Sequence, residues 1–149
     1  MSDTEPGATP LRVRDYMTAD PATLTPEARL LDAVLTIRRL GIRHLPVISD
    51  GKLVGLLTER DVNRFAPSIL RSSQDEYNEV FEQTLVRTVM TKNLTTVTPD
   101  TSLAEAVGLM LNSKLGCLPV VENDRVVGIL AATDILRFAD GILAGTVKV

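Results

Sequence analysis

Apolar residues in this chain follow two spacings, and the order of those spacings recurs. Leu30, Val34, Ile37 and Leu40, with Ala33 beside them, fall at helical intervals, which predicts a helix with one apolar face. Thr25 is a candidate N-cap, Pro26 suits the first helical position and Glu27 complements the dipole. The predicted helix therefore runs from Pro26 to about Leu40, and Gly41 ends it. His44 to Ile48 reads as a strand and Lys52 to Leu57 as its return. Asp50-Gly51 between them is a two-residue hairpin signal, because both central positions need positive φ. A second helix, Val62 to Leu70, follows the corner Gly55–Asp61. Ahead of all this, Leu11 to Met17 suits a short helix and Pro21 to Thr25 an extended piece.

The same order returns 73 residues later. Met17-Thr18 recurs as Met90-Thr91, Thr25-Pro26 as Thr98-Pro99, and Leu45-Pro46-Val47 as Leu118-Pro119-Val120. Asp61, Arg64 and Phe65 recur as Asp134, Arg137 and Phe138. Without a gap, 13–65 and 86–138 share 19 identities in 53 positions, so the unit is duplicated. A unit of this size buries little surface alone, and two copies packed about a pseudo-twofold axis would remedy that. Between the copies, Ser73 or Ser72 can cap a helix carrying Asp75 and Glu76 in its first turn and Tyr77, Val80, Phe81 and Leu85 on one face. The expected domains are a flexible tail (1–10), repeat 1 (11–65), a connecting helix (66–85), repeat 2 (86–138) and a C-terminal tail (139–149) that suggests no firm element.

Composition narrows the function. A net charge of −3 over 149 residues opposes general binding to nucleic acid or to an anionic membrane. No apolar run approaches the roughly 20 residues of a membrane span, and the first residues lack an apolar signal core; the expectation is a cytoplasmic protein. A single cysteine, Cys117, rules out an internal disulfide framework and a cysteine cluster for metal. There is no Walker loop, no GxGxxG and one His, so no catalytic or metal site is expected and the chain reads as a non-enzyme.

The repeated motifs Val13-Arg-Asp-Tyr-Met-Thr18, Thr25-Pro26, Gly41-Ile-Arg-His-Leu-Pro-Val47 and Val54-Gly-Leu-Leu-Thr-Glu-Arg-Asp61, with their second copies, resemble the CBS domain, named after cystathionine β-synthase. The resemblance spans about residues 11–138. It implies an α+β fold: a tandem pair of βαββα-type repeats resembling the small free-standing CBS-pair proteins. It further implies a regulatory role, with an adenosine compound (AMP, ADP, ATP or S-adenosylmethionine) held in a cleft between the repeats, no required cofactor, a homodimer and an unidentified regulated protein. The alternative is an interaction scaffold with a degenerate, unused ligand site.

In the family, the corner Thr or Ser contacts phosphate or ribose and the Asp three residues on holds ribose hydroxyls. Thr58 and Asp61 match that pattern. The local sequence reads equally well as a helix-capping pair, and the two roles are compatible. In the second copy Ala131 stands for Thr58, Asp134 is kept and Thr133 is out of register, so unequal sites are expected, with the Asp61 corner the better. Arg43 and His44 occupy a position where the family often carries cations for phosphates, and Arg suits phosphate by its donor fork; His44 would add charge according to pH. The second copy has Gly116-Cys117 there. Candidate adenine neighbours are Thr23, Leu24, Ile42 and Pro46 in copy one, and Thr96, Val97, Leu115 and Pro119 in copy two. Arg60, Arg64, Lys114 and Arg137 are further cations that could assist a phosphate, though a solvated surface role suits them as well.

Overall fold

The structure, a computed structural model, describes residues 11–66 and 73–147. The tail expected at 1–10 lies outside the described residues, as do 67–70 of the helix expected over Val62 to Leu70; that helix instead starts at Glu59 and ends at Phe65, with Ala66 outside the helical region. The elements in chain order are α1 (Val13–Tyr16), β1 (Thr18–Ala19), α2 (Leu30–Leu40), β2 (His44–Ser49), β3 (Lys52–Thr58), α3 (Glu59–Phe65), α4 (Gln74–Gln83), α5 (Val86–Val89), α6 (Leu103–Ser113), β4 (Cys117–Glu122), β5 (Arg125–Ala131) and α7 (Ala132–Leu143). This is the expected mixed fold of helices and antiparallel hairpins.

The chain divides into two compact units that do not coincide with the two sequence repeats. The first unit holds described residues between 21 and 94, and the second holds 11–20 together with 95–147. Each repeat's leader segment is thus placed in the unit built by the other repeat.

In the first unit, β2 and β3 pair antiparallel from His44↔Thr58 to Ser49↔Lys52, with a bulge between Val47 and Ile48. Asp50 and Gly51 have φ of 51° and 78°, the positive pair that the two-residue turn requires. Leu24 bridges Val47 on one edge and Thr91 bridges Leu56 on the other. Leu30, Ala33, Val47, Leu57, Val62, Phe81 and Val86 form the core. Ser73 caps α4 by accepting from Glu76 N–H at 3.2 Å, and α4 contributes the buried Phe81 to that core.

The second unit repeats this plan. β4 and β5 pair from Cys117↔Ala131 to Glu122↔Arg125, Val97 bridges Val120, and β1 lies against β5 with Thr18↔Ile129. Its core is Val13, Val97, Leu103, Ala106, Met110, Leu118, Val120 and Leu130. The hairpin turn here is Asn123-Asp124, with φ of 53° and 64°. The segment after Phe138, for which the sequence suggested no element, continues α7 to Leu143.

Glycine next to the leader strand has a packing reason in each unit. A Cβ on Gly55 would collide with the Met90 side chain, and one on Gly128 would sit 2.5 Å from Met17 Sδ and 3.0 Å from the Thr18 carbonyl oxygen. The missing side chain is what lets a thioether lie on the strand.

One local expectation is corrected. Thr25 does not cap α2, and Pro26 is not its first residue; the helix starts at Leu30 after Arg29. Residues 25–28 instead form a turn whose carbonyls are taken by α5: Arg87 N–H donates to Pro26 O at 3.0 Å and Val86 N–H to Ala28 O at 2.8 Å. Those bonds to a distant segment outweigh the local cap. The helix end follows the sequence reading: Gly41 adopts φ 65°, in the left-handed region.

Candidate functional site: two strand-to-helix corners

Each unit turns from its second hairpin strand straight into a helix, and an Asp side chain folds back over the turn. In the first unit, Thr58 N–H donates to Asp61 Oδ2 at 3.1 Å, and Asp61 N–H donates to Thr58 Oγ1 at 3.0 Å. This reciprocal capping box satisfies two otherwise unpaired N–H groups of α3. The capping role of Thr58-x-x-Asp61 is therefore real, and it leaves lone pairs on the carboxylate. The Thr91 hydroxyl also donates to Asp61, 3.1 Å from each oxygen. An open pocket of about 280 Å³ adjoins the corner, lined by Asp61, Arg64, Phe65, Thr88 and Val89.

The second corner keeps half of the box. Ala131 N–H donates to Asp134 Oδ2 at 2.8 Å, but the Ala131 methyl cannot accept from Asp134 N–H. Asp134 is only 5% exposed. Its Oδ1 accepts from Thr18 Oγ1 at 3.2 Å and from Arg137 Nη1 at 3.3 Å. Beside it Tyr16 and Phe138, the counterparts of Val89 and Phe65, lie in tilted contact with ring centroids 4.5 Å apart.

The remaining predicted residues divide into surface and core. Arg43 and Glu59 approach at 3.7 Å with both side chains more than half exposed, a loose pair that costs little to break. The Arg43 carbonyl accepts from Glu59 N–H at 2.9 Å, which sets this residue beside the corner. His44 pairs with Thr58 across the hairpin. Burial, then the neighbouring Arg43, lowers its pKa from the ordinary 6.5, with Glu59 opposing. His44 is thus mostly neutral at pH 7, where it offers a hydrogen bond, and any charge on it comes only at lower pH. Thr23 and Thr133 are exposed and Ile42 is half-buried. Pro46 and Val97 are buried. Cys117 is buried, and its thiol is pushed up to about 12, far from the range of a reactive thiolate.

Thr18 and Thr91 were not among the predicted site residues. The signal was present, since Met-Thr recurs at the same offset as the two Asp residues. What the sequence does not reveal is that each Thr meets the Asp of the other copy.

The family model described as CBS domain matches residues 13–68 and again 86–141. The chain belongs to the CBS-domain family. Among relatives of this CBS pair, uncharacterized protein MJ1225 of Methanocaldococcus jannaschii is 35% identical over 129 residues, covering 85% of this chain and 46% of that protein. The chain thus spans about half the length of that relative. Among solved structures, the CBS domain pair of protein MJ0100, in complex with 5-methylthioadenosine and S-adenosyl-L-methionine, is similar with a TM-score of 0.74 and 26% identity, over 90% of this chain and 99% of that one. CBSX2 of Arabidopsis thaliana, in complex with AMP, matches with a TM-score of 0.74 and 27% identity, over 89% of this chain and 98% of that one. Among the described residues no helix is long and apolar enough to cross a membrane, and no cluster of His, Cys, Asp or Glu could hold a metal ion.

Proposed function

We propose that this CBS pair is a regulatory module that senses an adenosine compound, namely AMP, ADP, ATP or S-adenosylmethionine, and catalyses nothing itself. The observation that carries the reading is the Asp61 corner. It presents a half-buried carboxylate beside an open pocket, with no cation paired to it among the described residues. A carboxylate so held can accept from both hydroxyls of a ribose. Thr58 and the exposed Arg43 stand at the same corner for a phosphate or a second ribose contact, and neutral His44 adds a hydrogen-bonding group. The adenosine ligands of the MJ0100 and CBSX2 pairs support the same ligand class. Ligand could then shift shape or assembly only by its differential affinity for two states.

Calorimetric titration of the chain with AMP, ADP, ATP and S-adenosylmethionine tests this. Binding of at least one, measurably weakened in Asp61→Ala, is the expected result. No heat and no thermal shift with any of them overturns it.

One observation favours a second reading, an interaction scaffold. Leu111, Leu136 and Leu143 of α6 and α7 are 73%, 67% and 87% exposed, apolar surface of the kind that meets a partner. Under that reading the chain self-associates in sedimentation whether or not nucleotide is present, and Asp61→Ala leaves the association intact.

A further inference from the structure

The two leader segments end in the same dipeptide, Met17-Thr18 and Met90-Thr91, and each is locked in place twice over. Thr91 exchanges backbone hydrogen bonds with Leu56, at 2.8 and 3.0 Å, while Met90 packs on Gly55. Thr18 pairs with Ile129 while Met17 packs on Gly128. Both arrangements fix the Thr hydroxyl against the corner carboxylate, Thr91 on Asp61 and Thr18 on Asp134. The two contacts arise from separate parts of the chain, and neither is needed for strand pairing, which uses backbone groups alone. Elsewhere around the corner the copies differ, with Thr58 against Ala131 and Val89 against Tyr16.

We propose that Thr91 is a positioning residue, donating its hydroxyl to hold Asp61, the corner Asp of the other repeat, in the orientation that accepts a ribose diol, while the matching contact of Thr18 on Asp134 serves packing alone. This rests on the ribose reading given above. An Asp carboxylate held only by the helix-start N–H can still turn about its last bond. A second donor, anchored on a neighbouring strand, stops that rotation and leaves the outward lone pairs aimed one way. A consequence is that the Asp61 site is assembled from both sequence repeats, since its second donor arrives on the leader of repeat 2.

The test is calorimetry on the full chain with AMP, S-adenosylmethionine and 2′,3′-dideoxyadenosine 5′-monophosphate, using wild type, Thr91→Val, Thr91→Ser, Asp61→Ala and Asp61→Ala/Thr91→Val. Thr91→Val is expected to weaken AMP about tenfold, the scale of one hydrogen bond to a charged group, and to leave the dideoxy compound unchanged. Thr91→Ser, which keeps the hydroxyl, restores AMP binding. Adding Thr91→Val to Asp61→Ala causes no further loss. A Thr91→Val chain that binds AMP as well as wild type or tighter, or that loses as much in the Asp61→Ala background, overturns the positioning role alone. A wild-type chain silent to AMP and S-adenosylmethionine overturns the ribose reading and the positioning role with it.

Discussion

At the first corner the Asp61 carboxylate lines a pocket and is held by an N–H and a hydroxyl. At the second, the matching Asp134 is buried, is bonded in addition by Arg137, and the rings of Tyr16 and Phe138 meet at a tilt where the first unit has Val89 and Phe65. The backbones of the two corners are laid out alike: Glu59 N–H donates to Arg43 O and Ala132 N–H to Gly116 O, both at 2.9 Å. A shared framework therefore carries two carboxylates in different surroundings. Asp134 is buried within its unit, and Asp61 stays half-exposed at the edge of a pocket.

The largest expected contrast concerns stability. Asp134→Ala strands the Ala131 N–H and the Thr18 hydroxyl beside a buried position and should cost about 3 kcal/mol. Asp61→Ala, at a half-exposed corner, should cost about 1 kcal/mol. Urea denaturation of the two variants measures the difference, and equal losses would break the comparison. A smaller effect sharpens it from the other side. Ala131→Thr supplies the missing acceptor for Asp134 N–H and should stabilise by about 1 kcal/mol, while Thr58→Ala should lose a similar amount.

The helix ends extend the contrast away from the corner. Gly41 and Lys114 occupy equivalent positions and both are left-handed, with φ of 65° and 53°. No atom lies within 4 Å of a Cβ added at Gly41, so Gly41→Ala isolates the conformational penalty. It should destabilise by about 1 kcal/mol, and Lys114→Gly should stabilise by up to about 1 kcal/mol. A gain from both substitutions in thermal melts would contradict the αL assignment.

The smallest effect is with pH. His44 has a folded pKa below its unfolded value near 6.5, so the unfolded chain takes up the proton first as pH falls. Above about pH 6.5 both states are neutral and nothing is lost. Below it, stability declines until the lowered folded pKa is passed. The denaturation midpoint of wild type should therefore fall more than that of His44→Gln between pH 7 and 5. The substitution has no counterpart in the second unit, where Cys117 stands at this position and stays protonated throughout that range.

The first hairpin turn, the end of α2 and the start of α4 were legible in the residues because each follows a local rule. Asp50-Gly51 dictates its turn, Gly41 its helix end, and Ser73 with Glu76 its helix start. The corner motif was legible as a cap, and Thr58 and Asp61 form the reciprocal pair it calls for. The start of α2 departs from the local rule for a cap because residues 25–28 close into a turn, and the Pro26 and Ala28 carbonyls accept from α5, more than fifty residues along the chain.

By itself, then, the sequence determined a duplicated α+β unit, its element order and the pair of Asp corners, since spacing along the chain encodes which face of an element is apolar. Tertiary structure decided which unit each leader joins, how deeply each Asp is buried and where a pocket remains open. A two-residue strand such as Thr18–Ala19 carries too little pattern to name its partner. Its place follows from where its Met can lie on a glycine, and that is settled only when the hairpins are packed.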